Sequence, residues 1–294
     1  MINYSGSFPS IYYQVGQMLK HYPTINEPRG LPIVYELNPV CLSIMTHEGA
    51  LCFSHPKHRV TPIRFVLAEL LWTLSGSNDA KMIAQYNKQM MHFSDDGITL
   101  HGAYGKRLDT QIETCVHMLL DDIDTRRAVA VIYDKTDLQA KTKDIPCNVL
   151  LQFMVRNNCL DVYVVSRSSD YVTGLSIDAI HWQILLMLVA NELRHHGSNV
   201  EYGSVHYVIH SLHVYERDKE MFDNWKDITW NRMDERNIYV SGRYTKVKEE
   251  AERCFNGKMS LVELMDMLTV SEISRLHIHV LAELFTQHRN LCVR

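Results

Sequence analysis

The chain has 294 residues, of which 46% are hydrophobic and 22% charged, and its formal net charge is −4. This composition is ordinary for a soluble globular protein, and the length allows one large domain or two small ones. The charge gives no global basic field for nucleic acid or a membrane surface, and no apolar stretch approaches membrane-spanning length. Seven scattered cysteines without a C-x-x-C pair favour reduced thiols in a cytoplasm over disulfides or a zinc site. We also expect no signal peptide, because no basic segment precedes an apolar run at the N-terminus.

The first third of the chain predicts two helices. A short helix is predicted over Ile11–His21. Thr61-Pro62 is typical of an N-cap followed by proline at the first helical position, so a helix is predicted over Pro62–Leu74, ended by Gly76. This helix is apolar nearly all round and is therefore expected to be buried. Glu69 lies inside it, and burying a carboxylate is costly unless the carboxylate is hydrogen-bonded or functional.

The middle of the chain predicts strands followed by a long helix. A turn at Asp122 leads into an apolar strand that ends near Ile132. Three later segments have the β-branched, aromatic or alternating pattern of strands: Val149–Val155, Leu160–Val165 and Ser204–Val214. The turn Arg156–Cys159 joins the first two, and apolar residues at helical spacing predict a helix over Ile177–Leu193.

The C-terminal part predicts mostly helices. Glu216–Trp230 is predicted to be helical, and the charged stretch Lys246–Glu250 is predicted to form a solvated helix. Thr269–Glu272 fits a capping box, and an amphipathic helix is predicted over Ile273–Leu284. No repeat, linker or glycine-rich phosphate loop is found. We therefore expect one domain over residues 1–294, in which residues 216–294 are a mostly helical extension.

Residues suited to chemistry are concentrated between the two central strands and the long helix. Pro146-Cys147 stands at the mouth of the first strand, and Gln152-Phe153 lies within it. Arg167-Ser168-Ser169-Asp170 follows the second strand, and Gly174-Leu175 and Asp178 lead into the helix. A cysteine attacks as its thiolate and needs nearby positive charge or a hydrogen-bond donor, which the arginine can supply. The block therefore groups a nucleophile, an anion site and an acid.

In this spacing the block resembles thymidylate synthases and the related pyrimidine-nucleotide hydroxymethylases, with weaker similarity over residues 29–215. The resemblance implies an α+β fold with a mixed β-sheet packed with helices. It implies that Cys147 adds to C6 of a pyrimidine ring and that C5 then takes a one-carbon unit from 5,10-methylenetetrahydrofolate. Glu69 and Tyr104 would manage the proton transfers. The alternative is that Glu69 is a structural carboxylate paired with a nearby lysine or arginine.

The resemblance also implies how a pyrimidine nucleoside monophosphate and a folate bind. The residues it assigns to the phosphate are Arg29, Arg126, Arg127, Arg167 and Ser168. Of these, Arg126 and Arg127 would reach across a homodimer interface to the phosphate bound by the neighbouring subunit. Arginine suits this role because its guanidinium binds phosphate bidentately. His213 and Tyr215 would bind the sugar, and Asp170 and Gly174 the folate. The alternatives are that the arginines are solvated loop residues, that His213 is an ordinary strand histidine and that Asp170 only forms a turn. No metal, nucleic acid or membrane partner is expected.

Departures from thymidylate synthases bear on the base. Asp178 stands where those enzymes carry asparagine, Asn148 where they carry histidine, and Ser166 where they carry glutamine. An ionised aspartate only accepts hydrogen bonds, which suits the amino group of cytosine and its protonated N3, whereas an asparagine amide suits uracil. Asp178 and Asn148 therefore predict a base pocket for dCMP or CMP. The alternative is that Asp178 caps the helix that begins near Ile177.

A further departure bears on the product. Met90-Met91-His92-Phe93 stands where thymidylate synthases have a tryptophan-rich segment. Reductive methylation needs a closed, dry site, so we expect addition of water and a 5-hydroxymethyl product instead. The alternatives are reductive methylation of dUMP or dCMP and a catalytically silent nucleotide-binding homologue. A cysteine hydrolase is disfavoured because no hydrolase motif surrounds Cys147. The choice between ribose and deoxyribose stays open.

Overall fold

The computed structural model describes residues 2–46, 50–54, 63–224, 234–238, 240 and 242–255. Its strands are β1 Ile2–Gly6, β2 Pro23–Asn26, β3 Ile33–Leu37, β4 Val40–Met45, β5 Ala50–Ser54, β6 Val129–Val131, β7 Asn148–Arg156, β8 Cys159–Ser166, β9 Ser169–Asp170, β10 Glu201–Ile209, β11 Leu212–Tyr215 and β12 Asp234–Ile238. Its helices are α1 Phe8–Leu19, α2 Ile63–Leu74, α3 Ala80–Ala84, α4 Tyr104–Leu108, α5 Gln111–Asp121, α6 Leu175–His195, α7 Lys219–Asp223 and α8 Tyr244–Phe255. The predicted α+β class is confirmed.

The central feature is a mixed sheet of six strands in the order β1-β4-β10-β8-β7-β6. β7 and β8 form an antiparallel hairpin, and β10 lies parallel to β8. Asn157 and Asn158 form the hairpin turn with φ of 50° and 62°, the positive values that a tight turn between right-twisted strands requires. The turn predicted at Arg156–Cys159 is therefore confirmed. The hairpin pairs Asn148 with Ser166, so the two strand ends that carry the motif block lie side by side.

Strand alternation gives this sheet one buried face and one half-exposed face. Leu151, Phe153 and Val164 are buried in the main core together with α6, whereas Gln152 and Met154 point the other way and are half-exposed. Helix α6 packs against the sheet and against α2, α5 and α8, which explains why it is apolar nearly all round. The predicted burial of the helix that ends at Leu74 is also confirmed for its described side chains except that of Glu69, which is partly exposed.

The prediction of one strand over Ser204–Val214 is wrong. The chain breaks at His210 and Ser211 and passes from β10 in the six-stranded sheet to β11 in a four-stranded sheet of order β2-β3-β11-β9. The apolar positions change phase at the break, from residues 205, 207 and 209 to residues 212 and 214, and this shift is the sign of it in the sequence. The change of sheet pairs His213 with Asp170 on β9. It therefore brings a predicted sugar-binding residue beside a predicted folate-binding residue.

The C-terminal extension differs from its prediction in three ways. The helix predicted from Glu216 is a 3₁₀ turn followed by the short helix α7. The strand β12 pairs antiparallel with β5. Helix α8 is not merely solvated, because it packs against α2 and α6 and its buried Lys248 lies 2.7 Å from Glu113 Oε1. Glu192 of α6 caps the first turn of α8 by accepting a 2.8 Å bond from the Thr245 amide.

Several predicted features lie outside the described residues. They are the N-cap at Thr61-Pro62, the capping box at Thr269–Glu272 and the helix predicted over Ile273–Leu284. Within the ranges that are described, no helix is long and apolar enough to cross a membrane.

Candidate active site

The Cys147 thiol lies in a loop that an arginine holds in place. Cys147 immediately precedes β7, and Arg167 immediately follows β8. The Arg167 guanidinium donates to the carbonyl oxygens of Pro146 and Ile145, each at 2.9 Å, and its Nη2 lies 3.7 Å from Cys147 Sγ. Ser168 Oγ also lies 3.7 Å from the sulfur. The predicted association of Cys147, Arg167 and Ser168 is therefore present in the structure.

Burial and Arg167 act in opposite directions on the pKa of this thiol. Burial raises the pKa of Cys147, while Arg167 and the hydrogen bond from Ser168 oppose that rise. Asp178 adds negative potential that raises this pKa further. The free thiol is therefore predominantly protonated at neutral pH, and its proton must leave before or during attack.

Next to the thiol lies a hydrogen-bond network that joins four side chains. Asn148 Nδ2 donates to Tyr104 Oη at 2.8 Å and to Asp178 Oδ2 at 3.2 Å. The Tyr207 hydroxyl lies 2.7 Å from Asn148 Oδ1 and 3.0 Å from Asp178 Oδ2. Among the described residues, all hydrogen bonds to the Asp178 carboxylate go to Oδ2. Its Oδ1 is therefore available to accept a bond from a ligand.

The alternative role of Asp178 as a helix cap is excluded by where α6 begins. The helix starts at Leu175 with Gly174 as its N-cap residue, so Asp178 lies within the first turn rather than at the cap. Its carboxylate is bound by side chains from β7 and β10 instead. The helix N-terminus still favours a negative charge at this position.

Burial shifts the acids of the site toward their neutral forms. The pKa of Asp178 is raised to about 6 by burial, although the bonds from Tyr207 and Asn148 lower it. The pKa of Glu69 on α2 is raised to about 8 by burial and by the charge of Asp178. Burial also raises the pKa of Tyr104 and of Tyr207 well above 10, so both hydroxyls keep their protons. Within the described ranges no lysine or arginine is paired with Glu69, and the choice between a catalytic and a structural Glu69 stays a prediction.

The predicted sugar-binding histidine is oriented but incompletely bonded. His213 is buried, and its Nδ1 lies 3.3 Å from the Ser211 carbonyl oxygen. Its Nε2 is buried without a partner among the described residues. Burial lowers the pKa of His213, so the ring is neutral and able to bind a hydroxyl. Tyr215 packs edge-on against it, with ring centroids 4.7 Å apart.

Asp170 has the turn-forming role that was the alternative to folate binding. Its Oδ1 accepts from the amides of Val172 at 2.8 Å and Thr173 at 3.3 Å. Its main-chain carbonyl accepts from the Gly174 amide at 2.9 Å. Arg217 lies 3.5 Å from Asp170 Oδ2. The carboxylate thus closes the turn that leads into α6, and its folate role stays a prediction.

The remaining predicted phosphate residues are not gathered at the thiol. Arg126 and Arg127 are exposed and precede the edge strand β6. Val129 pairs with Gln152, which at ~3.3 Å per residue lies about 16 Å along β7 from Cys147. The Gln152 side chain also donates to the Arg126 carbonyl oxygen at 2.9 Å, so the Arg126 main chain lies beside the same part of β7. Arg29 lies in a 3₁₀ turn over 28–30, and its side chain is outside the described set.

Sequence reasoning missed two contributions to the site. Tyr207 alternates with buried valines along β10 and has no feature that separates it from a core tyrosine. Asp137 is buried and receives two bonds from Arg107, at 2.9 Å and 2.8 Å, and one contact from His101 at 2.7 Å. This cluster fixes the loop that leads to Cys147. A buried aspartate in a polar segment could have been noticed, but its partners are far away in sequence.

Together these features place a cysteine thiol, an arginine and a partly buried carboxylate in one site. Residues 50–249, about two thirds of the chain, match the family model described as thymidylate synthase. The chain belongs to the thymidylate synthase family. The match continues beyond residue 215, where the resemblance noticed in the sequence ended. The family uses 5,10-methylenetetrahydrofolate as one-carbon donor, which agrees with the donor expected from the sequence.

Three curated relatives from phages are named as deoxyuridylate hydroxymethyltransferases, and a thymidylate synthase of Buchnera aphidicola is 25% identical over 162 residues. A deoxyuridylate hydroxymethyltransferase of Bacillus phage SP01 is 33% identical over 244 residues, covering 74% of this chain and 60% of that protein. Those of Pseudomonas phage M6 and Delftia phage PhiW-14 are 35% and 30% identical over 160 and 166 residues, covering 52% and 51% of this chain. These two alignments cover 44% and 45% of the phage proteins, so the chain spans only part of the relatives it matches.

Proposed function

We propose that this protein transfers a one-carbon unit to C5 of a cytidine monophosphate and releases the 5-hydroxymethyl nucleotide. The observation that carries the proposal is the Asp178 carboxylate beside Cys147, with Oδ2 bound by Asn148 and Tyr207 and Oδ1 available. A carboxylate held in this way offers only acceptors to the ring. The cytosine amino group is a donor, and N3 becomes one when it is protonated.

The reaction begins with covalent catalysis by Cys147. The Sγ adds to C6 of the ring, which turns C5 into a carbon nucleophile. Protonation of N3 compensates the electron density that the addition brings, and Asp178 stabilises that proton by accepting its hydrogen bond. The positive potential of Arg167, whose Nη2 lies 3.7 Å from Sγ, favours the attacking thiolate.

Glu69 and Tyr104 have the protonation states that proton transfer requires. With a pKa of about 8, Glu69 is mainly a neutral acid at pH 7 and can give up and retake a proton within the working range. Tyr104 accepts from Asn148 and keeps its own proton, so it can donate toward a ligand. Once C5 has bonded to the one-carbon unit, the C5 proton would pass to a base of the site and tetrahydrofolate would leave with a proton on its freed nitrogen. Water would then add to the exocyclic methylene, and elimination of Cys147 Sγ from C6 would restore the ring and the free thiol.

The residues near Asp170 fit a folate. 5,10-methylenetetrahydrofolate supplies the carbon at the oxidation level of formaldehyde. Asp170 offers a carboxylate to the N–H groups of a pterin, and Ser169 Oγ is buried without a partner among the described residues. Arg217 is exposed, stacks on Tyr215 at 4.6 Å and carries the charge opposite to that of a glutamyl tail. Gly174 keeps the turn between Asp170 and α6 narrow.

Uridylate is the second candidate substrate, because the curated relatives are named for deoxyuridylate. Asp178 can serve uracil only when it is protonated, since a neutral carboxyl has one donor and one acceptor, as an amide does. Its pKa of about 6 keeps it mainly ionised at pH 7. The structure of the pocket therefore favours cytidylate at neutral pH, while the relatives support hydroxymethylation as the chemistry.

We further propose that the active enzyme is a homodimer. The half-exposed face of the six-stranded sheet offers a surface for a second copy. Arg126 and Arg127, which lie far from Cys147 in their own protomer, would then complete the phosphate site of the other protomer. Arg167 alone cannot serve the phosphate fully, because three of its donors are already used on Ile145, Pro146 and Ser168.

The direct test is a substrate panel. The protein is incubated with 5,10-methylenetetrahydrofolate and with dCMP, CMP or dUMP, and the products are weighed by mass spectrometry. We expect a hydroxymethyl gain on a cytidine nucleotide, with tetrahydrofolate as the coproduct. A methyl gain with dihydrofolate would mean reductive methylation, preference for dUMP would overturn the base assignment, and binding without turnover would indicate a silent homologue.

A further inference from the structure

Tyr207 is a residue of the base site to which neither motif nor resemblance assigned a role. It lies on β10, fully buried, on the same strand face as the core residues Val205 and Ile209. Its ring is part of the core, but its hydroxyl extends to the edge of the site, 2.7 Å from Asn148 Oδ1 and 3.0 Å from Asp178 Oδ2. The strand and the ring together determine the position of this hydroxyl, because a fully buried tyrosine has little rotational freedom.

Counting protons determines how the network is arranged. The Asn148 amide has two N–H bonds, and they go to Tyr104 and Asp178. Its Oδ1 has one donor, the Tyr207 hydroxyl. The single proton of Tyr207 is shared between Asn148 Oδ1 and Asp178 Oδ2. The hydroxyl therefore distinguishes the two ends of the amide and orients its NH₂ toward the carboxylate.

We propose that Tyr207 is a positioning residue for base selection, which keeps Asn148 and Asp178 in the arrangement that leaves Asp178 Oδ1 to accept from the pyrimidine. This rests on the proposed function. The hydroxyl has two effects on the same carboxylate. It donates to Oδ2 directly, and it holds the amide so that Asn148 also donates to Oδ2. Both favour the acceptor-only form that suits a cytosine.

Without the hydroxyl, the opposite arrangement becomes accessible. Asn148 Oδ1 loses its donor, and a buried acceptor without a partner is costly. The amide can regain a bond by turning over, so that Oδ1 accepts from Tyr104. Asp178 Oδ2 then loses both of its donors, Tyr207 and Asn148, and the carboxyl is more readily protonated. A protonated Asp178 then offers one donor and one acceptor to the ring, which suits uracil. Loss of one hydroxyl should therefore change the preference between bases and leave the packing of the core intact.

The test compares Tyr207→Phe with wild type for dCMP and dUMP, by equilibrium binding without folate and by kcat and KM with 5,10-methylenetetrahydrofolate. The matched control is Tyr202→Phe. It removes a hydroxyl from the same strand, one that donates to Asn191 at 2.7 Å, away from the site. In Tyr207→Phe we expect the ratio of dCMP to dUMP, both in affinity and in kcat/KM, to fall at least about tenfold. This is the size of one lost hydrogen bond to a charged group. The control should keep the wild-type ratio.

A double-mutant cycle with Asp178→Asn separates positioning from mere stability. If Tyr207 acts through Asp178, removing its hydroxyl from the Asp178→Asn protein should change the base ratio less than about twofold. An unchanged ratio in Tyr207→Phe, or additive losses in the cycle, would overturn the assignment and leave the proposed chemistry standing. Conversely, the wild type could show no turnover while its relative affinity for dCMP and dUMP still depends on Tyr207. That result would overturn the proposed chemistry and support the assignment of Tyr207.

Discussion

The base side and the phosphate side of the site are built in opposite ways. On the base side, Asn148, Asp178, Tyr104 and Tyr207 come from four separate elements and are joined by bonds of 2.7–3.2 Å. On the phosphate side, Arg167 is held beside Cys147, whereas Arg126 and Arg127 are exposed at the far end of the sheet edge. In the proposed function, one chain therefore supplies the whole base side and only part of the phosphate side.

This difference separates what one chain can do alone from what needs a second copy. Base selection depends on short bonds within the core, so it should be insensitive to assembly and sensitive to single atoms. Phosphate binding depends on long, charged side chains on the surface. The effects of substitutions there should be additive, and the binding should weaken as the salt concentration rises. Substitutions on the two sides should therefore have different kinetic effects. Those on the base side should change the ratio of dCMP to dUMP activity, and those on the phosphate side should change kcat/KM for both substrates.

The largest effect is expected where the two sides meet, at the nucleophile. Cys147→Ser should lower kcat by at least about 10³-fold, because a serine hydroxyl is far less nucleophilic at neutral pH. Binding of nucleotide should persist, since neither side of the site is changed. Turnover and binding are measured for the same preparation, with Cys159→Ser as a control at the start of β8. Turnover within tenfold of wild type would rule out the covalent mechanism.

The second-largest effect is expected from a double substitution on the phosphate side. Replacing Arg126 and Arg127 by glutamine should lower kcat/KM about 10²-fold through lost bidentate contacts, with the dCMP to dUMP ratio unchanged. Mixing this variant with Cys147→Ser, under conditions that allow subunits to exchange, should restore about a quarter of wild-type sites at low substrate, because half the dimers are mixed and each has one intact site. If mixing restores nothing, the arginines do not act across an interface.

The change Asp178→Asn tests the base side directly. Activity on dCMP should fall roughly ten- to a hundredfold, because the amide places a donor against the cytosine amino group, and activity on dUMP should rise. The free energy of unfolding should not fall. With a folded-state pKa of about 6, above its ordinary value, Asp178 costs stability as the pH rises through 4 to 6, and the neutral amide removes that cost. An unchanged ratio of the two activities would remove the case for a cytidylate enzyme.

The sequence predicted the parts of this site that lie close together along the chain. Cys147, Arg167, Ser168 and Asp178 belong to one block of strand, turn and helix, and the structure brings them together. The hairpin and α6 were predicted for the same reason, since their patterns are local. Asp170 shows the limit of such reasoning, because a motif cannot distinguish a carboxylate that binds a ligand from one that closes its own turn.

What the sequence could not predict depends on contacts between distant segments. Tyr207 lies 59 residues from Asn148, and alternation along β10 marks it only as buried. The sequence marks the break between β10 and β11 only by a one-residue shift in the phase of the alternation, which does not show that the chain passes to another sheet. Lys248 and Glu113 are 135 residues apart, so a helix that looked solvated is in fact docked. In each case tertiary packing decided what local pattern left open.

The smallest effect, and the finest test of the base side, is its dependence on pH. Burial raises the pKa of Asp178 to about 6, so its acceptor-only form is present above that value and is lost as the pH falls through it. Through this group, kcat/KM for cytidylate should therefore fall about fourfold between pH 7.5 and 5.5. The ratio of cytidylate to uridylate activity should fall further, because uridylate recognition gains from the protonated carboxyl. Glu69 titrates near pH 8 but serves both substrates, so its effect cancels in the ratio. The ratio is measured across this range for wild type and for Asp178→Asn, in which it should be flat. A wild-type ratio that is constant from pH 5.5 to 7.5 would mean that Asp178 does not choose the base by its charge.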